Sequence, residues 1–465
     1  MSNDNSPENF AKQERAVIVA PAGYGKTELI AQSVAFCKKR QLVLTHTHAG
    51  VDSLRRRIKE KYQVPSSKYY VETIHSFALR FAGSYPKTTG LDIKQPQEDN
   101  DYDQIISSAI KLFDTKLGKD ILKASVSGIF VDEYQDCMLN QHDLICKLAK
   151  ILPCRIVGDP LQGIYDFGNN EIVDWDKKVF RFFEQLPDLT IPYRWLNTRP
   201  ELGERLKEVR QKLETRREIH FTDTIPANHE AIVQSLYHVY NNCHDDRIFV
   251  VCKPEPRYRY YPHTLAKSMN NLYHTIEPLT SKDLCVDAQK IDNNYGRQRL
   301  KNVISFCKKC LTRISRECGR ALNPGRKNLN EREVKLKKCF QKIEAEDNLK
   351  NVYDLFLFFE RAYNPTYKRK QLWEEMKNGL HEVFLGGAET LEDAVWNARN
   401  QLRFKKNRIP KRCISRTVLL KGLECEHAVI IKPELFDKKN LYVALTRATS
   451  KITIISNAKS WSNYT

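Results

Sequence analysis

The stretch APAGYGKTEL, Ala20 to Leu29, follows directly on a short apolar run, Ala16-Val17-Ile18-Val19. The β-branched residues of that run predict a buried parallel strand, and Glu28 to Phe36 predict a helix. Between them Gly23 and Gly25 let the backbone turn so that successive amide hydrogens converge, which is how a loop holds phosphate oxygens. Lys26 can then reach the β- and γ-phosphates, and the Thr27 hydroxyl can enter a magnesium shell at the helix N-terminus. The strict pattern asks for glycine six residues before Lys26, where Ala20 stands. The alternative is a glycine-containing turn that happens to precede Lys-Thr.

Working outward, short apolar strands alternate with helical stretches from residue 16 to about 195. The strands are expected at Val17–Val19, Leu42–Thr45, Tyr69–Glu72, Ile129–Val131, Arg155–Val157 and Leu189–Ile191. Such alternation predicts an α/β fold with a parallel sheet covered by helices. Residues 79–127 read as a small helical insertion. Further strands are expected at Arg247–Val251, Arg416–Leu420, His427–Ile431 and Lys451–Ile455. The expected organisation is therefore a first α/β domain over 1–195 and a second over 196–280 and 409–465. A helical insertion domain over 281–408 interrupts the second.

Composition narrows the partners. The 465 residues are 41% hydrophobic, enough for real cores, and too many for one ordinary domain. Lys and Arg number 76 against 57 Asp and Glu, a formal charge of +19, which points to a polyanion, nucleic acid first and anionic membrane second. The charge concentrates in the helical insertion: Arg297 to Lys342 holds 15 Lys/Arg against Glu317, Glu331 and Glu333. RNQLRFKKNRIPKR, Arg399 to Arg412, contains no acid, and Lys253 to Tyr261 interleaves basic and aromatic residues. A solvated helix face is the plainer reading of such runs. The polar N-terminus MSNDNSPENF has no signal-peptide core, and no run has the length of a membrane span, so a soluble cytoplasmic protein is expected. The 13 cysteines are then reduced thiols. Cys307-x-x-Cys310 has ligand spacing, with Cys318, and with Cys285 or Cys339 as a fourth ligand. The same residues, with Val303, Phe306 and Ile314, also fall on one helical face, and an apolar core is the favoured reading.

IFVDEYQD, Ile129 to Asp136, ends an apolar strand with two acids. Asp132 there can hold Mg2+ through its water shell, and Glu133 can take the proton from a water attacking the γ-phosphate. After a phosphate loop in one chain, the pair points to NTP hydrolysis. RIVGDPLQGIYDF, Arg155 to Phe167, ends another strand with polar groups and aromatics.

Taken in order, these stretches resemble the UvrD/Rep-like superfamily 1 DNA helicases. APAGYGKT resembles their motif I, whose first position is Ala. LTHTHAG (44–50) resembles motif Ia, ETIHSF (72–77) the following Thr-x-His-Ser element, and VDEYQD motif II. GDPLQGIYDF resembles motif III and IPYRW (191–195) motif IV. LLKGLECEH (419–427) and LYVALTRA (441–448) resemble motifs V and VI.

The resemblance implies two RecA-like (P-loop NTPase) domains closing over ATP and Mg2+. It implies nucleotide contacts from Ala20, Pro21, Ala22, Gly23, Tyr24, Gly25, Lys26 and Thr27, with Thr27 and Asp132 at the metal and Glu133 as general base. Gln162 would sense the γ-phosphate, Tyr193 stack on adenine and Glu424 approach the ribose. Arg194 and Arg447 would act as arginine fingers from the second domain. Thr45, Thr47, Thr73, His75, Tyr165 and Phe167 match strand-contacting positions on single-stranded or tailed duplex DNA, where aromatics stack on bases. Sheet-edge packing is the alternative for Tyr165 and Phe167. His46, Gly168 and Val418 depart from the usual Phe, Arg and His of the family, and Gln13 lies closer to the loop than its adenine-reading Gln.

The compact layout further resembles the helicase-like subunit of Gabija-type anti-phage systems, which implies a nuclease subunit as partner. The implied activity is ATP-driven translocation or unwinding. The alternative is a regulatory ATPase that senses DNA or nucleotide for a partner nuclease.

Overall fold

The computed structural model describes residues 5–464 except 93–98, 165–170, 244–245, 254–261, 271, 276–280, 313, 324, 327, 364–366, 368, 387, 389 and 396–409. Strands, in chain order, are β1 (Arg15–Val19), β2 (Gln41–Thr45), β3 (Tyr69–Thr73), β4 (Gly128–Val131), β5 (Cys154–Gly158), β6 (Glu184–Gln185), β7 (Ile219–His220) and β8 (Ile248–Val251). They continue with β9 (His274–Thr275), β10 (Arg412–Ser415), β11 (Cys425–Ile431), β12 (Ala448–Ile455) and β13 (Ser460–Trp461). They build one sheet in the order β3-β2-β4-β5-β1-β6 and a second in the order β12-β11-β8-β10-β9; every pairing within both is parallel. The fold is thus α/β with two parallel sheets, as the alternation of strands and helices predicts. A short antiparallel pair, β7 with β13, completes the pairing.

Because successive strand residues point to opposite faces, each strand of the first sheet serves two cores. Val17, Val19, Leu44, Val131 and Ile156 pack on one face against the helices Ile74–Ser84, Asp99–Asp114 and Leu139–Ala149. Ala16, Ile18, Val43, Phe130 and Val157 pack on the other, against Lys26–Phe36 and His48–Arg56. In the second sheet Ile248, Val250, Ile414, Val429 and Ile455 share a core with Ile232 and Leu236 of the helix His229–Asn242.

Two strands differ from the sequence expectation. The edge strand lies at Glu184–Gln185, not at Leu189–Ile191. Leu186 and Leu189 still donate to Val17 and Val19 carbonyls, but Pro187 and Pro192 have no N–H, so no regular ladder extends through the segment. The strand expected at Arg416–Leu420 is Arg412–Ser415, and Thr417–Leu420 makes one helical turn. A short apolar run cannot by itself choose between strand and helix. Pairing with β8 decides it, through Cys413, Ile414 and Ser415.

The chain divides into two compact units, Met1–Thr275 with Pro410–Thr465, and Ile276–Ile409. Both parallel sheets belong to the first. The second is helical among its described residues. Its helices Gly296–Cys310, Glu331–Ala345, Leu349–Tyr363 and Lys370–Phe384 enclose a core in which Trp373 stacks on Phe356, ring centroids 4.0 Å apart. Cys307, Cys310 and Cys318 are buried in that core, and burial pushes the Cys318 thiol up to about 12. No group of three metal-ligating side chains occurs among the described residues. No helix among them is long and apolar enough to cross a membrane.

Candidate nucleotide site

β1 delivers the chain into the loop Ala20–Gly25. The Ala20 amide bonds the Gly158 carbonyl at 2.9 Å, so the loop starts pinned to the end of β5. Gly23 and Gly25 have φ of +78° and +87°, the left-handed region that glycine enters without strain. Gly25 is the N-cap of the helix Lys26–Phe36, whose first amides face the loop's concavity. Lys26 is buried and donates to the Ala20 carbonyl at 3.1 Å, which folds its ammonium back over the loop.

At the end of β4, Asp132 Oδ2 accepts the Thr27 hydroxyl at 3.1 Å, and Oδ1 accepts the Glu133 amide at 2.9 Å. Burial pushes the Asp132 carboxyl up, and the Glu133 charge adds to that; Lys26 and the Thr27 hydroxyl oppose. A buried carboxylate beside a hydroxyl is a hard-oxygen pair short of positive charge, and the residues fit Mg2+. Glu133 is also lifted by burial, but Lys26, Lys421, the Gln135 amide and Arg447 outweigh this and hold it below the usual carboxylate range. It is therefore in the form a general base requires. Its φ of +55° is uncommon for a non-glycine residue and marks local strain at the site.

Tyr193, Arg194 and Arg447 come close to the loop. The Arg194 amide bonds the Gly23 carbonyl at 3.0 Å. Tyr193 is 58% exposed, and a Cβ on Gly25 would stand 3.4 Å from its ring, so a free aromatic face lies beside the loop. The arginines are engaged with protein. Arg194 donates to the Thr446 carbonyl at 2.6 Å and pairs with Glu424, whose carboxylate is thereby committed to an arginine. Arg447 is 2% exposed and donates to Val443 and Leu423 carbonyls at 2.9 and 3.0 Å. Burial, and then the Arg194 charge, lower its pKa to about 10, so it stays cationic at neutral pH. Gln162 is buried and gives its amide to Asp159 at 2.8 Å.

Of the expected strand-contacting residues, Thr45 and Thr73 are register partners at the carboxyl ends of β2 and β3. Thr47 and Thr73 cap helices, accepting the Gly50 and Ser76 amides at 3.1 and 3.0 Å. His75 lies against Tyr102 and Gln141, and burial lowers its pKa to about 4. Thr47 is exposed; Thr45 and Thr73 are not. Tyr165, Phe167 and Gly168 lie outside the described residues, as do Arg257 to Tyr261 and most of Arg399 to Arg412. Gln13 bonds Asn9 within its own helix end.

Residues 6–168 match the family model of an AAA domain. No curated protein matches the sequence. Among solved structures, a complex of Arterivirus nonstructural protein 10 (helicase) with DNA is 10% identical, with a TM-score of 0.36 over 97% of this chain and 63% of that one. A Bacteroides Pif1 helicase in complex with ADP-AlF3 and single-stranded DNA is 15% identical, with a TM-score of 0.29 over 53% and 58%. The chain spans less than two thirds of the length of either structure.

Several residues that the motifs did not single out stand beside this loop. Within the matched segment, Gln135 is fully buried; it bonds Glu133 and accepts the Asp159 amide at 2.9 Å. Asp136 pairs with Lys421, which lies beyond that segment. Trp195 is buried, donates to the Ala448 carbonyl at 2.8 Å and packs against Gly23. Tyr442 bonds the Ala22 amide at 3.2 Å, and Arg210 bonds both Tyr442 and Asp159. Gln135, Asp136, Trp195, Lys421 and Tyr442 sit inside quoted motifs, so their neighbourhood was the signal. Arg210 had none.

Proposed function

We propose that the protein is an ATP-dependent single-stranded DNA translocase or helicase of the UvrD/Rep type, hydrolysing ATP between two RecA-like domains. One observation carries the reading: Thr27, Asp132 and Glu133 meet at the phosphate loop, with Tyr193, Arg194 and Arg447 beside it. Lys26 would bind the β- and γ-phosphates, and Thr27 and Asp132 would hold Mg2+. That ion would neutralise phosphate charge. Glu133 would take the proton of the attacking water, Tyr193 would stack on adenine, and Gln162 and the arginines would answer to the γ-phosphate. Single-stranded DNA would run past Thr45, Thr47, Thr73 and His75.

A second reading is a gated ATPase subunit for a partner nuclease, in the manner of an anti-phage complex. The engagement of Arg194 with Glu424, and of Arg447 with backbone carbonyls, favours it, because both must be released before either reaches a phosphate.

The deciding experiment is ATP hydrolysis by the purified chain, with and without single-stranded DNA. Lys26→Ala and Glu133→Gln should each lower turnover by about 10²-fold or more, with DNA binding retained. Retained hydrolysis in Glu133→Gln removes the general-base role. Strong DNA stimulation supports an autonomous motor, and silence that a nuclease partner relieves supports the gated subunit.

A further inference from the structure

Asp159, at the end of β5, is fully buried and its oxygens are committed. Oδ1 accepts the Leu161 amide at 3.2 Å and Arg210 Nη1 at 2.8 Å; Oδ2 accepts the Gln162 amide group at 2.8 Å. Arg210 lies on the helix Pro200–Glu214, is 8% exposed, and belongs to none of the quoted motifs. The same Nη1 donates to the Tyr442 hydroxyl at 3.0 Å, and Nε pairs with Glu214 at 2.9 Å. Tyr442, on the helix Lys438–Leu445, is 2% exposed, and its hydroxyl oxygen also accepts the Ala22 amide at 3.2 Å.

We propose that Asp159, Arg210 and Tyr442 form a relay of positioning residues that fixes the phosphate loop at Ala22 and ties it to the helix Lys438–Leu445, which ends two residues before Arg447. The argument is one of satisfaction. Each member is buried, and removing one leaves its neighbours short of a hydrogen bond away from water, so the three side chains act together. Its two ends are Asp159, which also fixes Gln162, and the Ala22 amide, one residue before Gly23. The helix Lys438–Leu445 runs within two residues of Arg447. A shift of that helix must therefore either drag Ala22 or release it. Arg210 is the piece that cannot be omitted, since one guanidinium edge serves both the carboxylate and the phenol. The consequence for turnover rests on the ATPase reading; the geometry of the loop does not.

The test uses the full chain with Tyr442→Phe, Arg210→Met and the double variant. Amide exchange of a peptide covering residues 20–27 is followed in nucleotide-free protein, alongside the dissociation constant of a fluorescent ATP analogue and the kcat and KM of hydrolysis. Tyr442→Phe keeps the ring and loses only the hydroxyl. It should speed exchange in the loop by about 10-fold while exchange in β8 and β11 stays as in wild type. It should lower kcat by about 10-fold with the analogue's affinity changed less than about three-fold. The double variant should lose no more kcat than Arg210→Met alone, because the two side chains act in one chain.

Unchanged loop exchange in Tyr442→Phe overturns the relay. So does faster exchange with unaltered kcat in an active enzyme. If the wild type alone does not hydrolyse ATP, the autonomous-motor reading fails, and loop exchange with analogue affinity decides the relay alone.

Discussion

A side chain on Gly23 would meet protein at once. Its φ of +78° already disfavours any Cβ, and that atom would lie 2.8 Å from the Trp195 ring and 2.9 Å from Arg194 Cβ. Gly23→Ala should thus cost about 1–3 kcal/mol in urea unfolding and displace Trp195 from its bond to Ala448. Midpoints equal to wild type would show that the loop relaxes freely and that Trp195 does not brace it. Glycine at Gly25 answers a milder contact, with the Tyr193 ring at 3.4 Å. The two glycines, Lys26, Thr27 and the Asp132–Glu133 pair were legible because their chemistry is local: a turn, an ammonium, a hydroxyl and two acids at a strand end. Arg210 was not legible. Its relay partners are 51 and 232 residues away in sequence, and nothing local distinguishes it from Arg205 on the same helix.

Among the elements, β11 carries a buried titratable group inside the second sheet. His427 is 1% exposed, with Nε2 2.8 Å from the Thr453 hydroxyl and Nδ1 3.8 Å from Cys243 Sγ. Burial, and then the Lys451 charge, lower its pKa from 6.5 to about 4, against a smaller opposing pull from Asp246. The unfolded chain then binds the proton more readily than the folded one. The contribution of this group to stability is present above pH 6.5 and is lost as pH falls towards about 4. The slope reaches about 1.4 kcal/mol per pH unit within that window. Urea midpoints at about pH 7, 6 and 5 should fall for the wild type and fall less for His427→Gln. Equal slopes would mean that the imidazole is charged within the fold. The strands themselves were largely readable because β-branched runs of fixed length have few other uses. The two misplaced ones, β6 and β10, turn on proline positions and on pairing with β8, and pairing is a property of the assembled sheet.

For the whole molecule, the charge of +19 should act on DNA as a salt dependence. Log affinity for single-stranded DNA should fall linearly with log salt, by about 0.7 for each phosphate neutralised. A flat response would remove phosphate contacts from the binding mode and leave the basic helical unit as a solvated surface. That unit's cysteines show the limit of spacing as a guide: Cys307-x-x-Cys310 looks like a ligand pair in sequence, yet both residues lie among Val303, Phe306 and Phe356 in an apolar core. One helical period serves metal ligands and core residues equally.

By itself the sequence determined two parallel α/β sheets, a phosphate loop after the first strand, paired acids at the end of another, and a basic helical segment. Each follows from short-range rules: side-chain branching, glycine conformation, helical period and charge density. Tertiary structure alone decided which side chains are free to meet a ligand. It set Arg194 on Glu424, turned Arg447 into its own helix end, spent Thr47 and Thr73 on caps, and joined Asp159, Arg210 and Tyr442 to the Ala22 amide. Burial is the reason, because a polar group removed from water takes whichever partner the packing brings, and that partner is fixed only when distant segments meet.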